Sequence, residues 1–148
     1  MRFKDILAGD MRKYLGIDYG VKRIGVAVGD EERKIAFPKG IILNQTIAQT
    51  IKELKSLVRK EEIDAIVVGL PMSLQGRETD QTKSVRDFAQ SLKKEIKLPV
   101  LFENEMLTTK IARLGGTKKE HIDKASAALI LQSYLDKTLI RREYETLC

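Results

Sequence analysis

Residues 13–29 read KYLGIDYGVKRIGVAVG, and this run decides the fold. Leu15 and Ile17 alternate with Tyr14, Gly16 and Asp18, the period-two pattern of a strand over residues 13–19. Gly20 closes that strand. Ile24, Val26 and Val28 then recur on one face of a second strand over residues 23–29. The short gap between them, Gly20–Lys22, makes the pair an antiparallel hairpin. A carboxylate, Asp18, ends the first strand just ahead of two cations, Lys22 and Arg23.

Outward from the hairpin, residues 34–43 form a third strand, irregular around Pro38 and Gly40 and so at or near an edge. Thr46-x-x-Gln49 is a capping-box pattern, and Ile47, Ile51, Leu54 and Val58 follow at helical spacing to about Glu61. Residues 64–69, DAIVVG, are a continuous apolar run, as a buried parallel strand requires. Leu70–Gly76 reads as a loop. Residues 80–96 return to helical period through Val85, Phe88, Leu92 and Ile96. Leu98–Phe102 is a last strand, entered through Pro99. A short helix is expected over Thr108–Leu114, broken by Gly115-Gly116. Thr117-x-x-Glu120 is a second capping box, ahead of a helix with Ala127, Ala128, Leu131 and Leu135 that runs to about Lys137. The order β-β-β-α-β-α-β-α-α is an α/β fold. It predicts a five-stranded mixed sheet, an antiparallel meander plus two strands that right-handed helical crossovers set parallel to the first. No repeat or linker interrupts it, so one domain is expected over 1–148, with 1–10 as an N-terminal extension.

The composition narrows the partners. Of 148 residues, 43% are hydrophobic and 32% charged, enough apolar surface for a core and too much for disorder. The net charge of +6 suits a polyanion, because cations that neutralise phosphates release counterions. The one cysteine, Cys148, leaves no intrachain disulfide and fits a reducing cytoplasm. With one histidine, His121, and no CxxC, a zinc site of thiolates or imidazoles is excluded. A bound metal would need oxygen ligands, hence Mg2+ or Mn2+. No apolar stretch approaches a membrane span, and no secretory signal opens the chain.

Three acids conflict with their surroundings. Asp18 ends a strand whose carboxyl end, if central, opens into the crevice where α/β sheets bind ligands; otherwise it caps the turn at Gly20. Glu105 lies just past the last strand, which should run near the first; otherwise it belongs to a solvated acidic loop. Asp123 precedes Ala127, Ile130 and Tyr134 on a core-facing helical stripe, so its carboxylate points inward. A buried carboxylate needs a cation, hydrogen bonds or protonation; a lysine or the helix N-terminus is the plain alternative. Taken together, clustered carboxylates repel, and divalent ions relieve the repulsion. Two such ions about 4 Å apart activate water and stabilise a leaving oxygen in phosphodiester hydrolysis.

Four motifs then carry a resemblance. I17-D18-Y19-G20-V21-K22-R23-I24-G25-V26-A27-V28, V67-V68-G69-L70-P71-M72-S73-L74-Q75-G76, E105-M106-L107-T108-T109 and D123-K124-A125-S126-A127-A128-L129-I130-L131-Q132-S133-Y134-L135 occur in that order. They resemble the motifs of the YqgF-type family, Holliday-junction-resolvase-like proteins described as candidate pre-16S rRNA nucleases, over about Met11 to Asp136. The resemblance implies an RNase H-like fold, maturation of the 5′ end of 16S ribosomal RNA, and Asp18, Glu105 and Asp123 as active-site acids. It further implies hydrolysis by metal-activated water, leaving 5′-phosphate and 3′-hydroxyl ends, with Asp18 bridging two magnesium ions. The family's Asp-Glu-Arg reads Asn104-Glu105-Met106 here, and the segment between Leu114 and Asp123 is short.

Lys22 and Arg23 after the catalytic strand, and Arg77 beyond Gly69-Leu70-Pro71, are positioned to contact backbone phosphates, unless they are simply solvated. Thr108 and Thr109 support the site by hydrogen bonding, or Thr108 caps the following helix. His121 reads as an exposed helix residue. At 5% aromatic residues and no tryptophan, the chain favours contacts to duplex or junction backbone over a base-stacking platform. Three other readings stand beside pre-16S rRNA cleavage. One is a resolvase of junction DNA, which would act as a symmetric dimer. Another is a nucleotide-binding protein, since I17-D18-Y19-G20 also resembles the phosphate loop of the actin, Hsp70 and sugar-kinase ATPases. The last is a non-catalytic RNA-binding ribosome-assembly factor. The oligomeric state is not set by any apolar patch.

Overall fold

The computed structural model describes residues 11–106 and 125–138. Five strands and three helices follow in the expected order: β1 Lys13–Tyr19, β2 Arg23–Asp30, β3 Ala36–Leu43, α1 Ile47–Lys60, β4 Ala65–Met72, α2 Asp80–Ile96, β5 Val100–Met106, and α3 over residues 125–138. The sheet order is β3-β2-β1-β4-β5. β1, β2 and β3 are antiparallel neighbours, while β4 runs parallel to β1 and β5 parallel to β4.

The strand alternation divides the core between two faces. On one, Leu15, Ile17, Ile66 and Val68 meet Leu54 of α1 and Phe88 and Leu92 of α2. On the other, Tyr14, Ala27 and Val67 meet Ala127, Ile130 and Leu131 of α3. The second interface is unusually close. A Cβ on Gly16 would lie 2.8 Å from Leu131 Cβ and 3.0 Å from the Ala127 carbonyl oxygen, and one on Gly69 would overlap Ile130 Cδ1. The helix is also stitched to β3, where Gln132 Oε1 accepts the Ala36 N–H at 2.9 Å.

Two strands run further than the sequence reading has them. β4 continues through Leu70, Pro71 and Met72, read from sequence as a loop, because β5 pairs with it there, Leu70↔Asn104 to Met72↔Met106. Pro71 is tolerated because it lies beyond the last β1–β4 pair, Ile17↔Val68, where β4 has a partner on one side only. By the same pairing Glu105 lies within β5, not past it. The capping box at Thr46 is half made: its hydroxyl accepts the Gln49 N–H at 3.2 Å, while Gln49 Oε1 meets that hydroxyl, not the Thr46 N–H. Thr79 and Thr82 form a full box ahead of α2. The expected helix at Thr108–Leu114, the box at Thr117 and the extension over 1–10 lie outside the described residues.

β3 is an edge, as its irregularity predicted. The register slips between Val26 and Ala27, which pair with Gly40 and Pro38, so Lys39 bulges out. Lys39 Nζ then reaches Glu61 Oε1 at 2.7 Å, and Lys13 Nζ of β1 reaches Glu61 Oε2 at 3.4 Å. The carboxylate of Glu61, the residue that ends α1, thereby ties the helix to two strands.

Gly16→Ala should destabilise the fold by about 1–3 kcal/mol, the cost of forcing a methyl group into a filled interface, read from urea unfolding. The hydrogen bond from Lys39, aided by Lys13, holds the Glu61 carboxyl below its usual range. Its stabilising contribution is therefore present above the ordinary carboxylate range and lost as pH falls through the lowered value. The Tm difference between the parent and Glu61→Gln should shrink between about pH 7 and about pH 3.

Candidate functional site

Asp18 is half-buried near the carboxyl end of β1, opposite Gly25 of β2. The pair Ile17↔Val68 sets it beside Gly69 of β4, and Gly69 is itself beside Glu103 of β5. Side chains alternate along each strand. Because Gly16 and Gly69 lie under α3, Asp18 points to the α3 face. Glu103 bonds Lys137 of α3, so Glu105, two residues on, points there too. The two acids are offset by two strand spacings, roughly 10 Å across the sheet, and by two residues, roughly 7 Å along it. Neither residue is without an interaction partner.

Asn104 falls on the opposite face, with Phe102, which lines a groove against α2. The family's aspartate at this position would thus point away from α3, and its replacement removes no oxygen ligand from the face that carries Asp18 and Glu105.

α3 runs antiparallel to β1. Ala127 and Leu131 lie over Gly16, while Tyr134 meets Tyr14 edge-on with ring centroids 5.2 Å apart. Its residue-125 end is therefore directed toward the Asp18 end of the sheet. Asp123, Thr108 and Thr109 lie outside the described residues. Among the described residues, no three His, Cys, Asp or Glu side chains group closely enough to hold a metal ion. Asp18 and Glu105 supply oxygen donors, the kind a hard divalent cation takes, from one face at one end of the sheet.

The three predicted phosphate contacts share that end. Lys22 is exposed in the β1–β2 turn, and Arg23, the first residue of β2, is half-buried. The turn is fastened by a residue the sequence reading misses, Asn44: its N–H donates to the Lys22 carbonyl and its Nδ2 to the Gly20 carbonyl, both at 2.9 Å, while the Thr50 hydroxyl donates to its Oδ1 at 3.3 Å. A turn-forming asparagine ahead of a helix cap is a local signal; its partner 24 residues back is not. Arg77 is exposed on the turn after β4, where the Ser73 hydroxyl accepts its N–H at 3.0 Å. The buried Thr82 hydroxyl donates to the Pro71 carbonyl and joins that turn to α2.

Glu103 is the second omission. It is buried, and Lys137 Nζ donates to its two oxygens at 2.9 and 2.6 Å. The ion pair links the strand that carries Glu105 to the helix that follows Asp123. Its signal was within reach, since an acid at the alternate position from Glu105 belongs to the same strand face.

Residues 12–137 match the family described as RuvX, Holliday junction resolvase. A protein of Sulfurihydrogenibium named "Putative pre-16S rRNA nuclease" is 36% identical, covering 90% of this chain and 96% of its own. One of the same name from Anaplasma marginale is 40% identical, covering 86% and 87%. Among solved structures, Thermus thermophilus RuvC in complex with a Holliday junction substrate superposes at a TM-score of 0.54 with 12% identity, covering 86% of this chain and 96% of that one. The fowlpox virus Holliday junction resolvase gives 0.51 and 12%, covering 84% and 99%. At these identities the likeness concerns the fold, which is RNase H-like.

Lys137→Met should lower stability by about 1–3 kcal/mol in urea unfolding, because it leaves a buried carboxylate without its cation. The lysine side chain is 62% exposed, which keeps the loss below that of a fully buried pair.

Proposed function

The chain belongs to the RuvX family, and from that membership we propose that it is a metal-dependent endonuclease that hydrolyses phosphodiester bonds in structured nucleic acid, with the 5′ end of pre-16S rRNA as its substrate. The observation that carries the reading is the shared placement of Asp18 and Glu105 on the α3 face at the carboxyl end of the sheet. Asp123 completes the set from the segment leading into α3.

In this reading the three carboxylates hold Mg2+ or Mn2+, which when bound supplies an activated water and stabilises the charge on the leaving oxygen. The carboxylates fix the attacking water on one side of the phosphorus. Lys22, Arg23 and Arg77 bind flanking phosphates and set the strand's direction, with Thr108 and Thr109 as supporting hydrogen-bonding groups. Hydrolysis leaves a 5′-phosphate and a 3′-hydroxyl. The segment 1–148 acts as one domain in the cytoplasm. Among the described residues no helix is long and apolar enough to cross a membrane.

A four-way DNA junction is the second substrate reading, favoured by the description of the family. Cleavage of a pre-16S fragment and a four-way junction, side by side with and without magnesium, separates the two. The rRNA fragment should be cut and the junction left intact; the reverse would make the protein a resolvase. Asp18→Asn should lower cleavage by at least about 100-fold, the scale of several kcal/mol of lost charge stabilisation, with urea unfolding unchanged. Chelation of divalent ions should do the same, and full activity in either case would overturn the site assignment.

A further inference from the structure

Two side chains tie α3 to opposite edges of the sheet. Gln132 Oε1 accepts the Ala36 N–H of β3 at 2.9 Å, and Gln132 Nε2 donates to the Lys34 carbonyl at 3.0 Å. Lys137 Nζ donates to both oxygens of Glu103 on β5, the strand at the other edge. Five residues apart on a helix of 3.6 residues per turn, the two side chains leave it about 140° apart. Between them the contacts are apolar or aromatic: Leu131 over Gly16, Ile130 over Gly69 and Tyr134 against Tyr14. Apolar contact is non-directional. It sets the height of the helix above the sheet and tolerates rotation about the sheet normal. Hydrogen bonds to opposite edges are directional and oppose that rotation. Stability alone does not account for the Glu103–Lys137 pair. The Glu103 side chain is 5% exposed and that of Lys137 62%, so a carboxylate is withdrawn from water for a cation that stays mostly in it. Replacing such a pair by apolar groups is often neutral or stabilising.

We propose that the Glu103–Lys137 pair is a positioning clamp that sets the direction of α3 across the sheet, and with it the approach of the Asp123 segment to Asp18 and Glu105. This rests on the carboxylate-site reading above. Leu131, over Gly16, is the pivot. Lys137 lies six residues to one side of it. Residue 125, where the segment carrying Asp123 enters the helix, lies six to the other, so each arm is about 9 Å at 1.5 Å per residue. With equal arms, a shift of about 1 Å at Lys137 becomes about 1 Å at the other end, the scale on which misplaced reacting groups cost about 10²-fold. Glu103 is two residues from Glu105 on the same strand face, so the clamp also holds β5 beside its acid. It joins the two elements that bring Glu105 and Asp123 in from separate parts of the chain.

The test compares Lys137→Met, Lys137→Arg and Glu103→Leu/Lys137→Met with the parent. The readouts are urea unfolding, kcat and KM on the pre-16S fragment, and near-ultraviolet circular dichroism. The chain has no tryptophan, so that last signal comes mainly from tyrosine, and Tyr134 packs on Tyr14 one turn before Lys137. The apolar double variant should unfold near the parent's midpoint, because no charge is left buried and unpaired. Its kcat should nevertheless fall at least about tenfold with KM within about twofold, and its tyrosine ellipticity should fall. Lys137→Arg can make both bonds, and should keep kcat within about threefold and the parent's ellipticity. Lys137→Met, assayed without denaturant, should lose kcat by the same factor as the double variant, so the outcome does not depend on the double variant folding. A stable double variant with the parent's kcat would overturn the clamp and leave the pair a structural contact only. A parent that cuts nothing would end the nuclease reading and leave the clamp to the ellipticity. That signal must then change in the double variant and return in Lys137→Arg, or the clamp falls as well.

Discussion

The seating of α3 on a floor of glycine is the contact on which the rest of the molecule turns. Gly16 and Gly69 lack side chains where Ala127, Ile130 and Leu131 descend, so the helix backbone approaches the sheet more closely than any larger residue permits. That approach buries Tyr14 against Tyr134 and aims one end of the helix at Asp18. A methyl group at Gly16 meets the Ala127 carbonyl and Leu131 Cβ and pushes the helix outward, whereas one at Gly69 meets only the Ile130 side chain.

The sheet topology supplies the other half of the constraint. β1 is central, antiparallel on one side and parallel on the other, so its carboxyl end coincides with those of β4 and β5. Acids placed there are held by backbone ladders, while Lys22 and Arg77 sit in the connections and Arg23 opens β2. Asn44 and Ser73 convert two of those turns from loose connections into hydrogen-bonded ones. Asp18 and Glu105 thus project from the sheet itself, while Lys22 and Arg77 stand on the connections around its carboxyl end.

Most of this was legible in the amino-acid order. The alternation of Leu15 and Ile17 against Tyr14 and Asp18 gave the hairpin, the continuous run at residues 64–69 gave a strand buried on both faces, and the stripe Ala127, Ile130, Tyr134 gave the inner side of α3. What stayed hidden was non-local. Pro71 and the cluster Glu103-Asn104-Glu105 argue against a strand by composition, and only the pairing of β4 with β5 makes them one. The same pairing decides that Glu105 faces the site and Asn104 does not, a distinction that the motif alone does not contain. The role of Asn44 depends on a turn two strands earlier, and that of Glu103 on a lysine 34 residues later.

The bulge in β3 has a consequence for the molecule in a crowded solution. This edge exposes Phe37 and Leu43, at 52% and 59%, and a regular ladder beside such residues would welcome a stray strand. Pro38 offers no N–H, Lys39 is thrown out of register, and its ammonium is tethered to Glu61. An incoming chain finds an irregular ladder and an obstructing charge, so pairing along this border is discouraged.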